Sequence, residues 1–392
     1  MTNHIRWPLA LFGVVLFGFL AWYASDSVRS RMGSDLSGEL VQLAWFYRPP
    51  NTSQQIEGLE PIQQAEALAP LHQHFDRFVL TKNDEETRDQ LREEGVEAPF
   101  LQYLAFEVIL APHSCTAQPW HNQVADQPGD YCYLSENNPD WFLLDEEGNR
   151  IFHDVGHGER AVMMDPSHPG WRAFWLERAR QSQEKLGWDG VFLDNVEASF
   201  TKRLREGVLP AAYPTKTSYQ AAIEGFLAYI YTEYFEPEGR PLYANIIEVE
   251  DSEAWFRYLR YLDGAMIESW SMGWSDDYLS FDTWQEHLLR AEQSQAQDKH
   301  VILVAQGKQD NKERQQFAYA SYLLVSAGKA SFRYTHSEHY DEAWLYDNYQ
   351  LDLGEPLGPR YQDGYATWKR DFTNGSVRVN LASHSATITT GD

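Results

Sequence analysis

The chain has 392 residues and a formal net charge of −26, from 32 basic and 58 acidic side chains. With 43% hydrophobic residues it can bury a large core, which excludes wholesale disorder. A surface this negative repels phosphate backbones, which excludes nucleic acid as a partner.

Residues 8–23, PLALFGVVLFGFLAWY, form an uncharged apolar run behind His4 and Arg6. Residues 1–25 therefore read as a signal peptide or a transmembrane anchor. The anchor is preferred, because WYASDS offers no clean A-x-A cleavage pattern. Residues 26–38, DSVRSRMGSDLSG, are a polar tether. Arg6 precedes the run while Arg29 and Arg31 follow it, so flanking charge leaves orientation open. The expected location is extracytoplasmic, membrane-anchored or secreted, with the membrane a partner through this segment. The only two cysteines, Cys115 and Cys132, bound one loop-like stretch, and in an exported chain they are expected to form a disulfide.

Beyond the tether, strand-like and helix-like patterns alternate. LVQLAWFY (40–47) is the first strand, followed by a helix in IQQAEALAPLHQHF (62–75). FDRFVL (75–80) is the second, followed by the charged helix NDEETRDQLREEG. PFLQYLAFEVIL (99–110) is the third. A long irregular insertion then leads to the helix PGWRAFWLERARQSQEKLG, which opens after Asp165, Pro166 and Ser167. GVFLDNV (190–196) is the fourth strand. Its helix, SYQAAIEGFLAYIYTEYF, has apolar residues at Tyr219, Ala222, Ile223, Phe226, Leu227, Ile230, Tyr231 and Tyr234, a 3.6-residue periodicity. PLYANII (241–247), GAMIESW (264–270), HVILVAQ (300–306) and ASFRYT (330–335) complete eight strands, with helical patterns between them. The expected fold is α/β, a (β/α)8 barrel over residues 39–349. An open doubly wound sheet would show a Gly-rich phosphate loop after the first strand, and AWFYRPPNTS is not one. Asn-Gly between WKRDF and SVRVNL signals a hairpin, so residues 350–392 read as a small β appendage.

In such a barrel the chemistry sits at the C-terminal ends of the strands. The fourth strand ends in Asp194-Asn195 and the sixth in Glu268, and each carboxylate stops an apolar run. Glycosidic cleavage needs one carboxylic acid to protonate the leaving oxygen and one carboxylate to attack carbon or activate water, so Asp194 and Glu268 are the candidate catalytic pair. Either could instead cap a helix or form a structural ion pair. Glu197 and Glu248 are reserves. Candidate substrate-binding residues at the other strand ends are Trp45, Tyr47, Lys82, Tyr103, Asn195, Asn245, Trp270, Trp274, Gln306 and Tyr334. Trp and Tyr among them could stack on pyranose faces. Two histidine-containing loops, HDVGHGE (153–159) and THSEH (335–339), lack helical metal-ligand spacing, so no metal is expected. No cofactor is expected either, since no P-loop, dinucleotide fingerprint or Ser nucleophile elbow is present.

The segments NPDWFLLDEEGNRI (138–151), MMDPSHPGWRAFWLERA, WDGVFLDNVEAS (188–199), YLDGAMIESW (261–270) and PLGPRYQDGYATWKRDFTNGSVRVN (356–380) occur in an order that resembles a hypothetical glycosyl hydrolase family. It is the fifteenth of a set of uncharacterised barrel families, distantly related to endo-alpha-1,4-polygalactosaminidases. The resemblance implies a barrel and hydrolysis of a poly- or oligosaccharide, with the strand-four aspartate at Asp194 and the strand-six glutamate at Glu268. By analogy with barrel glycosidases, hydrolysis is expected to be retaining, with Asp194 the nucleophile and Glu268 the acid/base. The alternative is a non-catalytic carbohydrate-binding barrel of the cell envelope.

Overall fold

The computed structural model describes residues 42–46, 73–156, 159–200, 207–274, 276–337 and 342–391, with Lys202, His339 and Tyr340. The apolar run 8–23, the tether, most of the first helix and Tyr47 lie outside the described residues. Among the described residues no helix is long and apolar enough to cross a membrane.

The chain forms strands β1 (Gln42–Phe46), β2 (Arg77–Leu80), β3 (Phe100–Ala105), β4 (Val108–Ala111), β5 (Phe152–Gly156), β6 (Glu159–Met163), β7 (Gly190–Glu197), β8 (Leu242–Ile247), β9 (Gly264–Ile267), β10 (His300–Gln306) and β11 (Ala330–Thr335). Eight of them, in the order β1-β11-β10-β9-β8-β7-β3-β2, close into an all-parallel barrel. The eight barrel strands are those the alternation of patterns anticipates. Parallel strands packed on both faces are read as near-continuous apolar runs, and β10 is buried at every position.

Two apolar layers divide the strand side chains. Ala44, Phe46, Val79, Leu101, Phe192, Tyr243, Met266, Ile302 and Val304 fill the barrel interior as one cluster. The alternate residues join a larger cluster under the helices. On helix α3 (Pro169–Leu186), which follows α1 (Glu85–Glu93) and α2 (Asp130–Asn137), the buried face is Trp171, Trp175 and Ala179. Next, α4 (Lys216–Ile230) buries six of the eight residues its 3.6-residue pattern singles out, while Tyr231, half-buried, and Tyr234, buried, fall in the π-helical turn Tyr231–Phe235 beyond its end; Thr215 and Ser218 cap its start reciprocally. The remaining helices are α5 (Ser252–Leu259), α6 (Phe281–Ala296) and α7 (Lys312–Val325).

Three features differ from the sequence reading. The apolar run 99–110 is two strands. β3 leaves the barrel after pairing Ala105 with Asp194, and β4 joins a separate antiparallel sheet of order β4-β6-β5. Hydrophobic continuity reports burial, not partner, so it could not show that break. The insertion is thus built on a sheet, and its Cys115 and Cys132 are joined as a disulfide with Cα atoms 5.7 Å apart. The tail is a four-stranded antiparallel sheet, β12 (Tyr361–Gln362), β13 (Thr367–Phe372), β14 (Gly375–Asn380) and β15 (Ser385–Thr390), larger than the single anticipated hairpin. Gly375 is required there by close approach, since a Cβ would stand 2.1 Å from the Thr389 carbonyl oxygen. This sheet covers α7. Arg370 donates to the Leu323 and Ser326 carbonyl oxygens at the end of that helix, where backbone acceptors have no helical partner.

Candidate active site

Side chains alternate along a strand, so the residue two beyond an interior position is interior again. Applied to the barrel, this rule carries Leu101 to Tyr103, Phe192 to Asp194, Tyr243 to Asn245, Met266 to Glu268 and Val304 to Gln306. The five polar residues form a layer above the apolar plug, at the strands' C-terminal ends. Above them opens a cleft of about 820 Å³, whose lining includes Phe46, Tyr103, Asp194, Asn245, Glu268 and Tyr340.

The geometry is organised by Asn245. Its single Nδ2 donates to Asp194 Oδ1 at 3.3 Å and to Glu268 Oε2 at 2.7 Å. Those two carboxylate oxygens are therefore no further apart than the sum of the two contacts, about 6 Å. Tyr103 and Asn195 donate to the other Asp194 oxygen. Tyr340 donates to Glu268 Oε1 at 2.8 Å and accepts from Gln306 Nε2 at 2.7 Å. One chain of hydrogen bonds thus runs from Gln306 through Tyr340, Glu268 and Asn245 to Asp194 and Tyr103.

The backbone is bent to aim Asp194. Between Leu193 and Val196 the β7 register against β8 shifts, so Asp194 and Asn195 oppose the single residue Asn245. This is a β-bulge, a common means of redirecting a side chain beside an active site. Asn195 takes the left-handed conformation at φ 57°, as do Glu248 and Ser271 beyond the next two strands. Three non-glycine residues in a sparsely populated region, on three consecutive rims, are strain of the kind that clusters at functional sites.

Electrostatics separate the two acids. Burial, and then the neighbouring Asp194 charge, push the Glu268 carboxyl up to about 7. Burial also raises Asp194, but hydrogen bonds from Tyr103 and Asn245 oppose the shift by favouring its ionised form. Two carboxyl groups this close titrate as a pair, and the Asp194 charge is one of the causes that raise Glu268.

The other anticipated residues are distributed unevenly. Tyr103, Asn195, Asn245 and Trp274 line the cleft with the two acids. Trp274 is 57% exposed on its wall. Trp45 is buried outside the barrel, against Phe75 and under the Arg333 guanidinium. Tyr334 is buried likewise, donating to Lys308 O. Both flank interior positions, so strict alternation would have placed them facing outward. Trp270 is fully buried and donates to Ala318 O, because β9 ends at Ile267 and the chain turns away. Gln306 supports Tyr340 from behind. Lys82 pairs with Asp126 and does not line the cleft. Of the reserves, Glu197 is buried with Glu107 about the Tyr219 hydroxyl, and Glu248 lines the cleft. Tyr340 was not anticipated, since it lies in a loop after β11 where periodicity says nothing. Phe46 could have been found by the same alternation that excludes Trp45. Among the described residues no group of three or more His, Cys, Asp or Glu is placed to hold a metal ion.

A closed parallel barrel with a deep cleft over its strand ends and paired carboxyl groups on the cleft floor is the class of the barrel glycosidases, hydrolases acting on O-glycosyl bonds. The chain belongs to hypothetical glycosyl hydrolase family 15, whose model matches residues 106–376. No curated protein matches the sequence. Among solved structures, the glycoside hydrolase domain of PelA from Pseudomonas aeruginosa is similar at 17% identity and TM-score 0.49, over 78% of this chain and 97% of that domain. The maltogenic alpha-amylase AmyB from Thermotoga neapolitana aligns at 11% identity and TM-score 0.47, over 86% of this chain and 85% of the amylase. The alpha-galactosidase TtGalA from Thermus thermophilus aligns at 15% identity and TM-score 0.47, over 91% of this chain and 69% of the galactosidase.

Proposed function

We propose that the protein is a retaining glycosidase in which Glu268 is the acid/base and Asp194 the nucleophile. The observation that carries this reading is the Asn245 amide held between the two acids, which limits their facing oxygens to about 6 Å. Retaining enzymes place their carboxyl groups ~5–5.5 Å apart, whereas inverting ones leave ~6.5–9.5 Å for a water. Glu268, still protonated near neutrality, gives its proton to the glycosidic oxygen as the bond to the anomeric carbon breaks. Asp194, ionised and oriented by Tyr103 and Asn245, attacks that carbon from the opposite face and forms a glycosyl ester. Glu268, now charged, takes a proton from water, which opens the ester and restores both acids. Proton NMR of the first products released from a cleaved polysaccharide is expected to show the anomeric configuration of the substrate bond. Products of the opposite configuration would overturn the assignment.

Two neighbours tune this chemistry. Tyr340 donates to Glu268 and so favours its charged form. Tyr340→Phe is expected to shift the alkaline limb of the kcat/KM profile to higher pH and to reduce the maximum about tenfold. A limb that stays in place, or moves to lower pH, would remove Tyr340 from this role. Trp274 offers an exposed ring beside the pair. If a sugar stacks on it, Trp274→Ala raises KM about tenfold and leaves kcat within a few-fold; an unchanged KM would count against a stacking platform.

The same proposal sets the enzyme outside the cytoplasm, anchored by or released from the apolar run at residues 8–23. Its support is that run, together with a disulfide of the kind that persists in oxidising compartments. The substrate proposed is a poly- or oligosaccharide.

A further inference from the structure

The lining of the cleft includes a second set of polar groups with no part in the proposed cleavage. Thr283, His287 and Arg290 project from α6, and Trp255 from α5. Arg290 is only 4% exposed. Its guanidinium lies over the Trp255 ring at 5.4 Å. Its Nε is buried with no hydrogen-bond partner among the described residues, and Nη2 reaches Ser252 Oγ only at 3.5 Å. The charges that act on it are those of Glu286 and Asp251, not the catalytic pair. Neither is within ion-pair distance: Asp251 caps α5 and pairs with Lys216 at 3.3 Å, while Glu286 is exposed to solvent. Beside Arg290, His287 is buried with its Nδ1 also unpartnered among the described residues. Burial and the arginine push its pKa down to about 3, so the ring is neutral.

A guanidinium remains charged in a protein, and a buried charge is stable only when paired. Here the charge lines a cleft with no carboxylate in ion-pair distance, its Nε has no acceptor among the described residues, and Nη2 has only the long contact to Ser252. We infer that this part of the cleft is an anion-binding subsite, and that the saccharide it takes carries a carboxylate or sulfate group that pairs with Arg290. The planar, forked donors of arginine match such groups, and the neutral His287 beside it carries no second charge. The acidic surface slows the approach of an anionic chain, but this long-range repulsion is screened by salt and leaves the local pairing intact. The inference rests on the glycosidase reading for the ligand being a saccharide; the subsite itself rests on Arg290 and its surroundings.

The test is calorimetric titration of the full chain with galacturonate, glucuronate and galactose 6-sulfate beside galactose and glucose, their neutral parents. At least one charged sugar is expected to bind tenfold or more tightly than its parent, and the carboxylate and sulfate arms tell which group the subsite takes. Arg290→Gln is expected to erase the margin, and Arg290→Lys to keep part of it, with melting temperatures confirming that both fold. No margin for any charged sugar, including no binding at all, overturns the inference without need of a variant. A margin that survives in folded Arg290→Gln overturns it as well. The wild type is also assayed for polysaccharide cleavage. An Arg290-dependent margin without cleavage leaves the subsite standing and ends the glycosidase reading. Cleavage without a margin does the reverse.

Discussion

Glu268→Gln is expected to lower kcat/KM by about 10³–10⁴-fold on a natural glycosidic bond, the upper part of the range for a lost general acid. Glutamine keeps the shape of the side chain, and its one carbonyl oxygen can accept from either Asn245 or Tyr340, so the main loss is that of the proton. An aryl glycoside whose leaving group needs no proton is expected to suffer far less in its first step, because only protonation of the leaving oxygen has been removed. The pH profile supplies an independent check. Glu268 donates in its protonated form, and burial together with Asp194 holds its carboxyl at about 7. Wild-type kcat/KM therefore falls about tenfold per pH unit above that point, as the proton is lost. In Glu268→Gln this alkaline limb is expected to vanish. An unaltered limb would assign the acid to another residue, Glu248 being the next carboxyl group that lines the cleft.

Asp194→Ala is expected to cost about 10⁴-fold or more, because no glycosyl ester can form without the attacking oxygen. Azide offered to this variant can occupy the space the carboxylate leaves and attack the same carbon. Partial recovery of turnover, with a glycosyl azide of inverted configuration as product, is the expected outcome. The converse experiment separates the two roles. In Glu268→Gln, azide meets an intact glycosyl ester and yields a product of retained configuration. If these configurations are exchanged between the variants, the two acids have exchanged roles. The milder Asp194→Asn carries a further sign prediction. It removes the negative charge that raises Glu268, so the Glu268 carboxyl is expected to titrate at lower pH than in the wild type, as NMR of a labelled carboxyl would read. A circular dichroism spectrum like that of the wild type checks that leaving one acceptor oxygen for Tyr103, Asn195 and Asn245 has not unfolded the barrel.

Much of this site is a consequence of alternation. Leu101, Phe192, Tyr243, Met266 and Val304 fill the barrel, and Tyr103, Asp194, Asn245, Glu268 and Gln306 follow two residues later. A linear sequence carries that pattern, and the same pattern argues against Trp45 and Tyr334 as cleft residues. It fails where a strand ends. Trp270 keeps the parity of Glu268 yet packs under α7, because the chain turns beyond Ile267 and Glu268 is the last side chain to follow the strand's alternation. It also fails in loops, where Tyr340 reaches Glu268 from 72 positions along the chain.

The number and order of the barrel strands, the buried face of α4, and the two acids that end apolar runs on the fourth and sixth strands can all be read along the chain. These are local properties, set by hydrophobic period and by the cost of burying a carboxylate. Only in the folded chain does the run 99–110 divide between two sheets, the tail form four strands, and one asparagine stand between Asp194 and Glu268. The burial that raises the Glu268 carboxyl is of the same kind. Each of those outcomes depends on which distant segments become neighbours, and so on distances and desolvation that no stretch of sequence contains.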